Sequence, residues 1–441
     1  MSNQPNLQPW WQDGVPNGRQ RGRLRVQLNR IVDGLQSAPG NVARNVVIEE
    51  AGTGDDVDYL YRRGVVLVRD RDVTRVLDVL RETVGDGAQV EDPVGGRAQR
   101  GVATIVLPAS ADTNAVVADL RARDIDASND LVLHICPSAS ACPATEPVLA
   151  EGGPVPAVAD WSTHPADRKV TVAVIDTDFH PSVAKQHAWL QNVSGKPGGP
   201  QAEGHYRGHG TFVAGVVATM APEADVHVYP ALLTSGGQIA SDLGPVLDAA
   251  LQTAPDIISL SAGTTLAPGE DPASALLGLE VFREYLATTD TLLVCAAGND
   301  AQDEGFYPAG LDHPEIVAVG ALDPDNATRA GYSNYGDWVD VWARGTDLVN
   351  GYPNGRYDYA DIDPDTPGDQ PGHVVFKNGL ASWSGTSFAT PLVAGLVAAR
   401  MAWSNEKPRQ AWAALHQIAV ANAVDGRPIL KRGDADRPPD A

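Results

Sequence analysis

Asp176, His209 and Ser387 stand out in this 441-residue chain because each reactive side chain sits among glycines and small residues that let another backbone come close. Val172-Ala-Val-Ile-Asp176 reads as a buried strand ending in a carboxylate, at the edge where open α/β sheets place ligands. A loop anchor or helix cap is an equally ordinary use of such an Asp. Gly208-His209-Gly210-Thr211 opens an apolar, small-residue stretch, which sets His209 at the amino end of a helix with its ring toward the strand ends. A capping or metal-bound His competes with that reading, but no His-Glu-x-x-His helix or Cys/His pairing lies nearby. Ser384-Gly-Thr-Ser387-Phe-Ala-Thr-Pro391 leads into Leu392-Val-Ala-Gly-Leu-Val-Ala-Ala399. A hydroxyl and backbone N–H at the start of a long buried helix face partial positive charge, which favours a developing oxyanion. An N-cap cluster explains any one hydroxyl there, but not the density of Gly, Ser and Thr; Pro391 fits a first helical turn.

The elements that must position these residues follow from periodicity. Strand candidates at Val170 to Ile175, Asp225 to Tyr229, Ile257 to Leu260, Thr291 to Ala296 and Glu315 to Val319 alternate with helical stretches at Gly210 to Met220, Ser241 to Thr253 and Ala273 to Thr288. The strands are continuous Val/Ile/Leu runs, as a parallel sheet buried on both faces requires. Upstream, Gly64 to Arg69, Val102 to Leu107 and Leu131 to Ile135 read as strands, with a weaker one at Gln89 to Glu91. Helical spacing at Val73 to Val84 and Thr113 to Arg123 makes this a small α+β (ferredoxin-like) domain of the split βαβ kind. Pro137 to Ala159 holds five prolines and Gly152-Gly153, the composition of a linker.

The order Asp, His, Ser, at separations of 33 and 178 residues, resembles that of the subtilisin-like serine peptidases. Leu293-Val-Cys-Ala-Ala297-Gly298-Asn299 is similar to the family's segment bearing the oxyanion-hole asparagine, and Ile258-Ser-Leu-Ser261-Ala262-Gly263 to the segment that pairs with extended substrate. Tyr307-Pro-Ala309, Ile316 to Ala321 and Tyr332-Ser-Asn-Tyr-Gly336 add to the likeness, which covers roughly Asp160 to Val420. The resemblance implies a subtilisin-like parallel sheet flanked by helices, and a serine endopeptidase working through an acyl-enzyme. It implies Ser387 as nucleophile, His209 as base and then acid, and Asp176 as the group that sets the His209 tautomer. The Asn299 amide and the Ser387 N–H would then hold the oxyanion. Ser261, Ala262 and Gly263, with Ala297 and Gly298, would bind substrate backbone, and Phe306 would wall and shorten the specificity pocket. Asp178 stands where the family usually has Gly, and Arg344 where it usually has Pro.

Composition bounds the partners. With 33 Lys+Arg against 56 Asp+Glu the net charge is −23, which argues against a nucleic-acid binder, although Arg19, Arg21, Arg23 and Arg25 cluster locally. No run approaches the length of a membrane span, and no secretory signal is visible at the amino terminus, so the expected location is cytoplasmic, away from membranes. Three cysteines make no disulfide framework; Cys136 and Cys142 are close enough in sequence to pair, and Cys295 reads as a buried apolar residue.

The expected domains are an extension at 1–58, the α+β domain at 59–136, a linker at 137–159, the peptidase domain at 160–424 and a flexible tail at 425–441. The α+β domain resembles the family's inhibitory propeptides in element order, with Cys136 to Asp160 as the tail that would lie in the cleft; a permanent accessory domain is the other reading. Tyr352 to Lys377 looks like an insertion carrying Asp358, Asp361, Asp363, Asp365 and Asp369. Some relatives bind calcium, yet this spacing matches no defined calcium loop, so a solvated loop with no metal and no cofactor is expected. A protein or peptide is the expected substrate. Two other classes stand against the peptidase. A catalytically silent regulatory or partner-binding protein retaining the fold is countered by the intact set of four residues, and an α/β-hydrolase esterase by the lack of a Gly-x-Ser-x-Gly elbow.

Overall fold

The computed structural model describes residues 18–52, 57–92, 101–135, 145–150, 156–160, 168–197, 204–359 and 372–436. Its strands are, in chain order, β1 (Ile48–Ala51), β2 (Tyr59–Arg69), β3 (Gln89–Val90), β4 (Val102–Val106), β5 (Ala127–His134), β6 (Val148–Leu149), β7 (Thr171–Asp176), β8 (Val193–Gly195) and β9 (Asp225–Pro230). They continue with β10 (Gly237–Ile239), β11 (Ile257–Leu260), β12 (Leu292–Ala296), β13 (Ile316–Leu322), β14 (Val341–Arg344), β15 (Leu348–Gly351), β16 (Gly355–Asp358), β17 (His373–Phe376) and β18 (Leu380–Trp383).

The larger sheet runs β14-β13-β12-β11-β7-β9-β8, and every pairing in it is parallel. Successive residues of β7 enter different cores, which is why its run shows no polar alternation. Val172 and Val174 join the helices His209–Met220 and Thr386–Ser404 on one face. Ala173 and Ile175 join the helix Ala240–Leu251 on the other. Strand order reverses at β7, whose neighbours are β9 on one side and β11 on the other, so a crevice opens at their carboxyl ends. The helices on the first face come close because residue 395 is glycine: a Cβ there would lie 2.6 Å from Met220 Cβ and 3.0 Å from the Val217 carbonyl oxygen.

The second sheet is antiparallel, in the order β10-β5-β2-β4-β3, with β1 also beside β2. Helices Val73–Thr83 and Thr113–Ala122 cover one face through Val76, Leu80, Val116 and Leu120, packed on Val66 and Val68. The other face presents Tyr59, Tyr61, Leu131 and Leu133 to Leu243 and Leu247 of the Ala240–Leu251 helix. One strand of this sheet, β10, therefore belongs by sequence to the larger domain.

Several expectations are corrected. Within the expected extension, whose Leu24 to Leu35 reads as an amphipathic piece, the described helix Gly18–Ser37 is docked, burying Leu28, Ile31 and Leu35 against Val132 and Ile239. Residues 426–436 of the expected tail are packed, since Leu430 and Ala435 sit in the first core and Ile429 bridges to Trp342. The stretch Ala273 to Thr288 is broken into Pro272–Ala275, a 3-10 turn and Glu280–Leu286. The insertion is not simply a solvated loop, because β16 and β17 form a hairpin that buries Tyr357 and Phe376, and Asp358 pairs with Arg356. Asp361, Asp363, Asp365 and Asp369 lie outside the described residues, as do Cys136, Cys142 and the Arg19, Arg21 and Arg23 side chains. Among the described residues no group of three or more His, Cys, Asp or Glu is arranged to hold a metal, and no helix is long and apolar enough to cross a membrane.

Candidate active site

Asp176 ends β7 with no exposed surface, and its Oδ1 accepts the Thr177 N–H at 2.7 Å. The same oxygen lies 2.7 Å from His209 Nδ1, the first residue of its helix, also fully buried. An ionised carboxylate only accepts, so the proton of this contact is on Nδ1 and Nε2 is left as an acceptor. The approach is held by a second bond, from the Gly210 N–H to Thr177 Oγ1 at 3.0 Å.

Ser387 is the second residue of the helix Thr386–Ser404 and is fully buried. The helix contains Pro391, at its sixth residue rather than in the first turn. Proline has no N–H to return to the residue four before it, which here is Ser387. The freed Ser387 carbonyl instead accepts Ser261 Oγ at 2.9 Å, tying the start of the helix to the segment after β11. Asn299 Oδ1 accepts from the Thr386 N–H at 3.0 Å and Thr386 Oγ1 at 2.8 Å, which turns the amide nitrogen to the opposite side. The His209 ring completes the convergence, with its centroid 5.3 Å from Phe388, the neighbour of Ser387, and 5.3 Å from Trp383. His209 Nε2 and Ser387 Oγ are buried polar atoms without a hydrogen-bond partner. Such atoms cost free energy, and Asp176 Oδ2 and Asp178 Oδ2 beside them are in the same condition.

Asp178 is placed beside this centre. Its Oδ1 accepts the Gly208 N–H at 3.2 Å, one residue before His209, and its Oδ2 lies 2.7 Å from His180 Nε2 without well-aimed hydrogen-bond geometry. Burial pushes the Asp178 carboxyl up, but His180 and the Gly208 N–H outweigh it and hold the group below the usual carboxylate range. Phe306 is fully buried, and a Cβ on Gly263 would meet its ring at 2.5 Å. Ala297 and Gly298 follow β12 beside it, and Ala297 N–H donates to the Val319 carbonyl at 3.0 Å. Asp300, next to Asn299, is a carboxyl that burial pushes up to about 7.

Sequence reading missed the partner of the segment after β11. His134 N–H donates to the Gly263 carbonyl at 2.8 Å and Gly263 N–H returns to the His134 carbonyl at 3.0 Å, while Ile135 N–H donates to the Gly236 carbonyl at 2.8 Å. The contact with Gly263 is made by His134 of β5 and that with Gly236 by Ile135, while residues 136–144 and 151–155 of the stretch Cys136 to Asp160 lie outside the described residues. The only signal available was that the apolar run Leu131 to Ile135 ended directly at the linker. Farther on, Trp383 Nε1 and Ser384 N–H donate to the carbonyl and Oγ1 of Thr145 at 2.7 and 3.2 Å, and β6 pairs with β18. Polar contacts lock the two parts together. Asp130 accepts both the Ser241 N–H and Oγ, at 2.9 and 2.7 Å, and Arg44, Arg69 and Arg121 pair with Asp242, Glu280 and Glu270.

An imidazole held by a carboxylate, a buried hydroxyl at a helix start and an asparagine amide bound to that same helix start are the groups gathered here. The family model described as the Subtilase family matches residues 167–436, and the chain belongs to that family. It is similar to a thermophilic serine proteinase of Bacillus sp. (strain AK1), 32% identical over 200 residues, and to an intracellular serine protease of Paenibacillus polymyxa, 31% identical over 249. These matches cover 43% and 52% of this chain but only 41% and 66% of the relatives' own lengths. Subtilisin Savinase of Lederbergia lenta is 30% identical over 259 residues, 54% of this chain and 80% of that one. A solved structure titled as a lanthipeptide protease is 21% identical, with a TM-score of 0.47, covering 60% of this chain and 86% of that one.

Proposed function

We propose that the protein is a serine endopeptidase that cuts protein or peptide chains through an acyl-enzyme. Ser387 Oγ attacks the carbonyl carbon, His209 Nε2 takes the hydroxyl proton and passes it to the leaving amine, and Asp176 stabilises the imidazolium. The Asn299 amide and the Ser387 N–H receive the oxyanion. Water then enters as the second nucleophile, with His209 again as base, and releases the acid product. The observation that carries the reading is the buried 2.7 Å Asp176–His209 contact in a site where His209 Nε2 and Ser387 Oγ are both left unpartnered.

The same reading includes self-restraint. The main-chain exchange between His134 and Gly263 occupies the edge that an incoming peptide would use as an added strand, so the chain as it stands competes with its own substrate. Casein hydrolysis and fluorophosphonate labelling, measured on the intact chain and after limited digestion by an added protease, test both parts. Activity is expected to rise on digestion, and Ser387→Ala is expected to abolish labelling in either form. If wild type and Ser387→Ala stay indistinguishable after digestion, the peptidase reading fails; if the intact chain is already as active as the digested one, only the self-restraint fails.

A further inference from the structure

Behind the active site, a cavity of about 410 Å³ is walled by Val216 and Met220 of the His209 helix, Leu392 of the Ser387 helix, and Leu348 and Leu430. Arg344, Lys431 and Arg432 also line it, against a single carboxylate, Asp347. Among the described residues none of the three cations has a carboxylate within 4.0 Å; Arg344 donates only to the carbonyls of Thr346 and Asp347, and Arg432 only to that of Thr219. Burial pushes the Arg432 guanidinium below its ordinary value, as expected of a half-buried cation with no counter-charge. A half-buried cation without a counter-charge loses part of its hydration, and the apolar walls beside it gain from excluding water.

We propose that this cavity binds a small amphipathic anion, an aliphatic carboxylate whose head pairs with Arg432, Arg344 and Lys431 and whose chain lies on the Val216, Met220 and Leu392 walls. The volume falls in the range of small-molecule sites, and the charge selects against neutral and cationic ligands of the same shape. The walls belong to the two helices that carry His209 and Ser387, so an occupant touches both at once. Binding does not depend on the hydrolytic reading.

Titration calorimetry of decanoate into the full-length Ser387→Ala protein, below the detergent threshold, tests the proposal, with decanol and a decylammonium salt as comparisons. Saturable binding of one decanoate per chain is expected, weakened about tenfold by Arg432→Gln and less by the exposed Lys431→Gln, while decanol binds far more weakly and the ammonium salt not at all. Failure of decanoate to saturate up to millimolar concentration overturns the proposal. So does equal binding of decanol, or undiminished affinity in both variants. Lys431→Gln keeps the test valid if Arg432→Gln does not fold, since Lys431 is exposed.

Discussion

His134 and Gly263 exchange both of their main-chain hydrogen bonds, at 2.8 and 3.0 Å, so a strand from the amino-terminal part lies where the segment after β11 would otherwise be open. Nothing in this exchange reads a side chain, since it is made by backbone alone. Specific strength comes from elsewhere along the contact, above all from Asp130. That carboxylate is fully buried and takes two bonds from Ser241 in the first turn of the Ala240–Leu251 helix, where negative charge is favoured.

Asp130→Ala leaves the Ser241 N–H without its acceptor and is expected to raise hydrolysis of a small peptide ester by the intact chain about tenfold, from the usual worth of a charge-assisted buried bond. Steady-state rates of the two proteins decide it. Equal rates would mean that docking does not limit access to Ser387.

Docking should weaken in mild acid. Burial holds His134 at about 4, below the ordinary 6.5, so between those values the docked chain binds fewer protons than the undocked one, and stability is lost as pH falls through 6.5 toward 4. His205, held at about 4 by burial and by Arg30, has the same sign. Asp130 opposes them, because burial raises it from 3.8 to about 6 and its contribution grows as pH falls through that window. Asp300, pushed up to about 7, acts in the same direction as Asp130 on the whole protein, so the expected result is a difference: between pH 7 and pH 5 the Tm of the Ser387→Ala protein falls relative to that of the additional variant His134→Gln. Parallel curves for the two would remove His134 from the account.

Asn299→Ala is expected to lower kcat about 10²- to 10³-fold with little change in KM, as loss of the corresponding donor does in subtilisin itself. The variant also frees Thr386 from its two bonds to Asn299 Oδ1, so its melting curve should be recorded beside the kinetics. A loss shared equally by kcat and KM would point away from an oxyanion role.

Asp178→Gly removes the acceptor of the Gly208 N–H and the contact to His180, and is expected to cost kcat about threefold to tenfold, within the usual worth of a hydrogen bond to a charged group. Asp178→Asn retains an acceptor for Gly208 and should recover part of that loss. Both are read from kcat and KM after removal of the amino-terminal restraint; a kcat unchanged in Asp178→Gly would show that the Asp176–His209 pair alone fixes the imidazole.

The parallel sheet was legible because Val172 to Ile175 is apolar at every position and Ile257 to Leu260 at all but Ser259, a pattern that burial on both faces requires. The candidate site was legible because Asp176, His209, Asn299 and Ser387 each sit in small-residue contexts that core packing does not ask for. The pairing of β5 with β10 was not, since main-chain bonds between residues about a hundred positions apart leave no mark in composition. Nor was the link from Ser261 to Ser387, which depends on a carbonyl left vacant by a proline four residues onward. Tyr357 and Phe376 were hidden for a related reason: their hairpin pairs residues across an acidic stretch, so the apolar positions looked isolated in a polar insertion.

The chain holds the cleft from two flanks, at His134 to Ile135 on Gly263 and Gly236 and at Thr145 on Trp383 and Ser384, with nine residues between Ile135 and Thr145. While that connection is intact, each flank presents the other to the cleft at an effective concentration in the millimolar range, whatever the concentration of protein. Under the proposed self-restraint, a peptide in solution must beat both together. One cut within the connecting residues leaves Thr145 joined to the peptidase part and His134 held by the docked sheet through Asp130 and Arg44, so under the proposed self-restraint the barrier to substrate falls only when those contacts are released as well.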